Sequence, residues 1–374
     1  MQKTSIRQAS LSLLLTSALA LGLAGCAKAE SPSTDTEKET PAVSEQLTTE
    51  AKAPDESDKE AEQEKPADNM AEEASKPSEA ETESEAEPAA EQSQQASTTD
   101  EKGRQIYTDA NGDSASIPAN FSVSPKEDEQ IISHGLVVIA PDGSEFVWIP
   151  TDSVGLSSHD FGSYFSGGSN FSDFYDETDL DSYQAMAASV EKHGGFYLSR
   201  YEASEGSDGL PVSKRSGTDG AGSIWVHYSP QDATEACERV YADNESIQGF
   251  FPWGANWDTT LMWLIHSGDK SWEDVAADSS SWGNYSNDSF SEGAGDHETG
   301  AYEEAKANNI YDLAGNNWEW TQERMGSNYV MRSGGCTLMG RGCSGSNYPA
   351  AIRDPLPGNN HHPNVAFRVG LYLT

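Results

Sequence analysis

Aromatic residues are confined to the part of the chain that follows residue 100. The sequence has 374 residues, and all 34 of its Phe, Trp and Tyr side chains lie beyond that point. Residues 27–100 contain 22 Asp and Glu against six Lys. A segment of this composition cannot bury enough apolar surface to offset the entropy lost on ordering. We therefore predict a disordered acidic linker at residues 27–100 and one large folded domain at residues 101–374.

The predicted domain carries a large excess of negative charge. It holds 40 acidic residues against 15 Lys and Arg, and the whole chain has a formal net charge of -39. A surface of this sign repels nucleic acids and anionic membranes, and the sequence contains no cluster of basic residues. We therefore predict no nucleic-acid partner.

The first 26 residues have the pattern of an export signal. Lys3 and Arg7 precede an apolar stretch from Leu11 to Leu23, and the tetrapeptide LAGC ends at Cys26. The stretch is short for a membrane span and resembles a bacterial lipoprotein signal peptide, in which the lipobox cysteine becomes the acylated N-terminus. The alternative is an ordinary secretion signal with a chance cysteine. We predict that Cys26 is acylated and that the protein lies in the cell envelope, outside the cytoplasm, in contact with the membrane only through this anchor.

Periodicity and capping signals predict one hairpin, one further strand and three helices. The hairpin spans residues 135–150, and the further strand lies within the sequence GFYLSRYEAS. A Gly- and Ser-rich loop covers residues 155–176. The helices are residues 180–193 before Gly194, a helix with Ser229 as N-cap, Pro230 in the first position and Asp232 three residues after the cap, and residues 256–267 before Gly268.

Each of these helices has an apolar face, which in the first is formed by Tyr183, Met186, Ala187 and Val190. The third is expected to bury one stripe formed by Trp257, Leu261, Leu264 and Ile265. In the second, Cys237 lies on the apolar face, where a small core residue is more common than a nucleophile. Few helices among short strands and many polar loops indicate an α+β domain.

Six motifs occur in an order that is familiar from a known family. They are FVWIP, GGFYLSRYEAS, DATEAC in the capped helix, NNIYDLAGNNWEWTQE, RSGG and AFRVGLYL. Over about residues 130–374 they resemble the formylglycine-generating-enzyme (sulfatase-modifying factor) family, and YDLAGNNWEW is the most specific of them. The resemblance implies a C-type-lectin-like α+β fold with short twisted sheets, few helices and many loops.

The resemblance also implies a structural Ca²⁺ site in this segment. The matching positions are the side chains of Asp312 and Glu319 and the main-chain carbonyls of Gly315 and Asn317. Carboxylate and carbonyl oxygens are the ligands that Ca²⁺ prefers. The alternative is that Asp312 and Glu319 cap a turn and pair with Arg332 or Arg368.

Catalytic members of the family bind Cu(I) through two cysteines and oxidise a substrate cysteine to formylglycine. Here Cys336 directly follows the two glycines of RSGG, six residues separate it from Cys343, and Met339 stands where the first catalytic cysteine would fall. This spacing departs from the family pattern and disfavours copper chemistry. The alternatives for Cys336 and Cys343 are a disulfide, worth about 2.5 kcal/mol in the chain-entropy model, or two unpaired structural cysteines.

The stretch from residue 336 to 364 is rich in Gly, Ser, Asn, Pro and His, as binding loops often are. Some lipoproteins of this superfamily, which this chain resembles, use the corresponding stretch as a ligand-binding surface diversified by a retroelement. We therefore predict a monomeric, surface-displayed protein that binds an unknown protein or surface ligand. The rival hypothesis is an exported oxidase of the same family. The candidate ligand-binding residues are Arg341, Asn347, Tyr348, Arg353, Asn359, Asn360, His361 and His362.

Overall fold

The computed structural model describes residues 99–154, 176–218, 220–286, 297–335, 337–338, 341–359 and 361–374. All of them belong to the second of the two units into which the chain divides, residues 87–374. The predicted signal peptide with Cys26, almost all of the predicted linker and most of the predicted 155–176 loop lie outside these residues. Within the described part, no helix combines the length and apolar character needed to cross a membrane.

Short elements make up the described domain. Its helices are α1 (Leu180–His193), α2 (Pro230–Arg239), α3 (Gly254–Ser267) and α4 (Trp272–Ala276), with 3-10 turns at Glu127–Glu129, Ile132–His134 and Glu303–Ala305. Its strands are β1 (Gln105–Thr108), β2 (Ser114–Ile117), β3 (Ser122–Val123), β4 (Val137–Ile139), β5 (Glu145–Pro150), β6 (Asp176–Glu177), β7 (Gly195–Ser199), β8 (Ser204–Glu205), β9 (Pro211–Val212), β10 (Ile247–Phe250), β11 (Lys306–Ala307), β12 (Ile310–Tyr311), β13 (Trp318–Met325), β14 (Asn328–Arg332), β15 (Thr337–Leu338), β16 (Arg341–Gly342), β17 (Asp354–Pro357), β18 (Val365–Ala366) and β19 (Gly370–Leu373).

Two sheets organise the domain. The larger has the strand order β10-β19-β7-β5-β4-β3 and is antiparallel throughout. The smaller has the order β17-β14-β13-β18, with β6 also paired to β13. In it, only the pairing of β13 with β18 is parallel among the described strands. The α+β class, with short sheets, few helices and many loops, is therefore confirmed.

The larger sheet is buried on both faces. Along β5, Phe146 and Trp148 join one apolar cluster, while Val147 and Ile149 join the other. Because successive side chains of a strand point to opposite faces, this alternation places one cluster on each side of the sheet. Burying each of these large side chains contributes roughly 1.5–3 kcal/mol.

Local signals in the sequence set the boundaries of several elements. The predicted hairpin is present as β4 and β5, and Gly143 in its turn has a φ of 86°. Helix α2 begins with the predicted capping box, in which the Ser229 side chain accepts from the Asp232 main-chain nitrogen. Such a cap contributes about 1 kcal/mol. Helix α1 ends at Gly194, whose φ of 79° suits glycine.

Helix α3 differs from the prediction of a single apolar stripe. It begins at Gly254, two residues earlier than expected, and its polar residues Asp258, Thr259 and Thr260 are buried together with Trp257. A Cβ at Gly254 would lie 2.2 Å from an oxygen of Glu323, so the helix start packs directly against β13. The polar side of the helix is buried because β13, β14 and the C-terminal stretch supply partners for it.

Candidate functional site

The segment from residue 308 to 320 bends sharply between β12 and β13. Asp312, Gly315 and Asn316 have positive φ angles of 59°, 76° and 58°. A Cβ at Gly315 would lie 2.2 Å from the main-chain oxygen of Asn284, so the close approach of the two backbones requires glycine. These bends bring Asp312 close to Glu319 in the interior of the domain.

Three carboxylates and one arginine form a buried group that we call the acidic cluster: Glu202, Asp312, Glu319 and Arg368. Arg368 Nε donates to both oxygens of Glu319 at 2.9 Å. Asp312 Oδ2 accepts from the Thr299 hydroxyl at 2.9 Å and from the Gly300 nitrogen at 2.8 Å. All four cluster residues are at most 2% exposed.

Glu202 joins the cluster from the loop between β7 and β8. Its Oε1 accepts from the Asn317 main-chain nitrogen at 3.2 Å, and its Oε2 accepts from the Asn316 side-chain amide. The sequence reasoning missed Glu202. A glutamate three residues after a fully buried strand, in the motif GFYLSRYEAS, is the signal that could have found it.

The acidic cluster holds more negative charge than its own arginine balances. Burial, followed by the charges of Asp312 and Glu319, raises the pKa of Glu202 well above its usual range. Burial raises the pKa of Glu319 to about 7, against the opposing charge of Arg368, and burial also raises the pKa of Asp312. If all three carboxylates ionise, the cluster has an excess of two negative charges.

The carboxylate oxygens of this cluster are of the type that binds Ca²⁺. The hydrogen bonds of the predicted calcium ligands, however, match the alternative in which Glu319 pairs with an arginine. Carboxylates with two excess charges suit a divalent cation. However, Glu319 is paired with Arg368, and the Gly315 carbonyl accepts from the Ser333 hydroxyl at 2.8 Å. Among the described residues, no group of three or more His, Cys, Asp or Glu is arranged to hold a metal ion. Calcium at Asp312, Gly315, Asn317 and Glu319 therefore stays a prediction.

A second buried group, the inner ion-pair network, links α3 to β13, β14 and the C-terminal stretch. It consists of Asp258, Glu323, Arg332 and Arg353. Arg332 contacts Asp258 at 2.6 Å and Glu323 at 3.4 Å, and Arg353 Nε donates to Glu323 at 2.7 Å and a terminal nitrogen to Asp258. Burial opposes ionisation of Asp258, but the charges of Arg353 and Arg332 outweigh it and lower the pKa of Asp258.

This network corrects the expectation for Arg353. The sequence placed Arg353 on a ligand-binding surface, whereas its side chain is only 3% exposed and contacts two buried carboxylates. The physical reason is that Asp258 and Glu323 are buried and need cationic partners. Arg332 likewise pairs within this network, so of the two arginines proposed as partners of Glu319, Arg368 takes that role.

Cys336 and Met339 lie outside the described residues, so the predicted disulfide and copper arrangements cannot be located. Cys343 is buried, 1% exposed, after the short hairpin of β15 and β16. Cys237 is also fully buried, as expected of a core residue, and its sulfur lies 3.7 Å from the Arg368 main-chain oxygen.

The remaining predicted ligand-binding residues fall into two groups. Asn347, Asn359 and His361 are exposed. Tyr348 and His362 are partly buried, and the Tyr348 ring meets the Trp318 ring edge-on, with centroids 5.5 Å apart. Arg341 lies in β16, and Asn360 is outside the described residues.

Adjacent His361 and His362 both contact a third histidine, His227. His361 Nδ1 lies 2.7 Å from the His227 main-chain oxygen, and the His227 nitrogen donates to the His362 oxygen at 3.0 Å. Burial, together with the charge of His227, lowers the pKa of His362. The contacts therefore tie the C-terminal stretch to the loop before α2.

The domain thus defined is an α+β protein with two main sheets and two buried charge groups. No protein-family model matches its sequence, and no curated protein matches it by sequence.

Solved structures resemble it at low identity. PvdO from Pseudomonas aeruginosa has 12% identity and a TM-score of 0.38, over 63% of this chain and 98% of that one. CarF has 14% identity and a TM-score of 0.33, over 48% of this chain and 87% of that one. Treponema denticola variable protein 1 has 14% identity and a TM-score of 0.25, over 71% of this chain and 98% of that one. No activity follows from matches at this level.

Proposed function

We propose that this protein is a surface-displayed lipoprotein that binds a protein ligand through residues 336–364 of a scaffold resembling the formylglycine-generating-enzyme family. Cys26 would carry the lipid anchor, and residues 27–100 would act as a tether. A flexible chain of this length spans roughly 50 Å on average, and its like charges extend it further. The binding domain would then stand away from the membrane.

One observation carries the proposal: the base of the C-terminal stretch is held by buried contacts, while its turns are exposed. Arg353 is fixed by Asp258 and Glu323, and the Ala350 nitrogen donates to the Ser279 hydroxyl at 3.0 Å. The Ala351 nitrogen donates to the Val275 oxygen at 3.1 Å. Since these anchors do not involve the exposed side chains, the turns can vary in sequence without loss of the fold.

The exposed residues favour a macromolecular ligand. Ser346, Asn347, Asn359 and His361 are exposed, adaptable hydrogen-bonding side chains, as in antibody loops. The domain is strongly acidic, so a neutral or basic protein surface suits it better than an anionic polymer.

The experiment is a comparison of ligand capture by two matched triple variants of the full-length protein. We expect Ser346→Ala, Asn347→Ala and Asn359→Ala together to abolish capture of the binding partner, with an unchanged melting temperature. The control carries Asn111→Ala, Lys192→Ala and Asp208→Ala, which are exposed residues elsewhere. The proposal fails if the first variant still captures the partner, or if both variants lose it.

A further inference from the structure

A pocket of about 480 Å³ lies beside the C-terminal stretch. The loop before α2 forms one wall through Ser216, Ile224 and Val226, and His297 with Asn317 forms the other. Among the described residues of the C-terminal stretch, Pro363 alone lines this pocket. The pocket therefore borders the surface of the proposed function at Pro363 but does not include its exposed turn at Asn347.

Three polar side chains of this pocket have buried atoms without hydrogen-bond partners. Within the described part of the chain, no partner is found for Ser216 Oγ, His297 Nε2, or Oδ1 and Nδ2 of Asn317. Asn317 is only 1% exposed. Most buried polar atoms in proteins are paired, and each unpaired one costs about 1–3 kcal/mol. Four unpaired atoms on three residues that line one pocket therefore point to a ligand that pairs with them after small side-chain rotations.

Main-chain hydrogen bonds hold these three residues in place. The Asn317 nitrogen donates to Glu202 at 3.2 Å, and the His297 nitrogen donates to Asn316 Oδ1 at 2.9 Å. The Ser216 nitrogen donates to the Thr299 oxygen at 3.2 Å. The main chain of the three residues is thus held in place before a ligand binds, which lowers the entropy cost of binding.

The chemistry of the lining selects the class of ligand. The Asn317 amide offers two donors and an acceptor, and the exposed Glu298 carboxylate at the pocket can only accept when ionised. Neighbouring hydroxyl groups satisfy this set, because each hydroxyl both donates and accepts. Ile224, Val226 and Pro363 provide an apolar wall for carbon-bound hydrogens.

Two other classes fit less well. The Glu298 charge and the acidic domain disfavour an anion. The lining residues that the structure describes include no Phe, Tyr or Trp, so a nucleobase would lack a stacking surface among them. We infer that this pocket binds a neutral saccharide unit, with Asn317 as its central hydrogen-bonding residue.

The test is saturation-transfer NMR of the full-length protein with glucose, galactose, mannose and N-acetylglucosamine at millimolar concentration. We expect at least one sugar to bind, and Asn317→Ala to weaken its affinity roughly tenfold or more, as loss of several hydrogen bonds requires. Asn317→Ala keeps the main-chain carbonyl that is predicted to bind calcium, so it separates the two sites. Because the amide makes no hydrogen bond in the described domain, the melting temperature should not fall.

Ser216→Ala is a second variant that should also weaken binding, and Asn111→Ala, at an exposed site outside the pocket, is the matched control. The inference is overturned if none of the four sugars binds, in which case water satisfies these atoms. It is equally overturned if binding survives both pocket substitutions, or if Asn111→Ala weakens binding as much as they do. Loss of sugar binding would leave protein capture by residues 336–364 intact, so the two proposals fail separately.

Discussion

Arg368 donates from its Nε to both carboxylate oxygens of Glu319 at 2.9 Å, and both side chains are fully buried. Arg368 thus balances the negative charge of one of the three carboxylates in the acidic cluster. The hydrogen bonds of Glu202 and Asp312 come from uncharged groups, namely amides, a hydroxyl and main-chain nitrogens. Two negative charges are therefore left for protons or for a cation to balance.

Calcium is the first prediction, because a divalent cation would balance that charge. We expect chelation to lower the melting temperature by roughly 5 to 10 °C, since an ion at a hundredfold excess over its Kd stabilises the folded state by about 2.7 kcal/mol. Glu319→Gln should reduce this difference, and Glu303→Gln, at an exposed site, should not. Equal melting temperatures with and without chelator would show that protons and hydrogen bonds alone satisfy the cluster.

Arg353 provides the second prediction. Its removal leaves Asp258 and Glu323 buried with only Arg332 as a cation, so Arg353→Ala should lower the free energy of unfolding by about 3–5 kcal/mol. The control is Arg215→Ala, because Arg215 is 46% exposed and 3.9 Å from Glu303. That change should cost less than about 1 kcal/mol. Urea denaturation measures both, and similar small losses would contradict the inner ion-pair network.

The third prediction concerns pH and Glu177, a residue of β6 that contacts the start of α3. Glu177 accepts from the Ala255 nitrogen at 2.7 Å and from the Gly254 nitrogen at 3.3 Å. Burial, followed by the charge of Glu323, raises the pKa of Glu177 to about 8 from an ordinary value of 4.5. The folded state therefore binds more protons than the unfolded state between these two values, and stability from this group falls as pH rises from about 4.5 to about 8.

Glu177→Gln should remove that contribution, because the amide stays neutral and keeps one acceptor oxygen. As pH rises across this window, the free energy of unfolding of the variant should increase relative to that of the wild type. Glu191→Gln on the exposed side of α1 is the control. A difference that does not change with pH would mean that Glu177 is ionised at all of these pH values.

Acylation is the fourth prediction. Mature protein purified from a bacterial host with lipoprotein processing should begin at Cys26 and carry the mass of the added acyl chains. Cys26→Ser should release the protein from the membrane fraction, because each buried acyl methylene contributes about 0.8 kcal/mol to anchoring. An unmodified N-terminus at another residue in the wild type would rule out the lipobox interpretation.

The fifth prediction is that purified protein given Cu(I), oxygen and a peptide containing Cys-x-Pro-x-Arg forms no formylglycine. Copper in this chemistry needs two converging thiolates, and Met339 offers only a neutral thioether where the family that the sequence resembles has a cysteine. Mass spectrometry of the peptide decides the question. Oxidation that disappears in Cys336→Ser or Cys343→Ser would restore the oxidase hypothesis.

Local features of the sequence were enough to place several elements. The capping box of Ser229 and Asp232, the stop at Gly194 and the hairpin turn at Gly143 depend on residues a few positions apart. The α+β class followed from these elements. The motif YDLAGNNWEW also identified two of the three carboxylates of the acidic cluster. These are Asp312 and Glu319, which belong with Gly315 to a single bent segment.

Tertiary structure decided which charges are buried and which partners they find. Asn317 contacts Glu202 across 115 residues, and Arg353 contacts Asp258 across 95. A hydrophobic pattern that repeats every 2 or 3.6 residues identifies the buried face of one strand or helix. It contains no information about pairs of residues so far apart in the sequence. For this reason the sequence places Arg353 on the surface and does not identify Glu202. The pocket lined by Ser216, His297 and Asn317 likewise forms only when their three loops pack together. Burial is a property of the whole domain and cannot be found from any one segment.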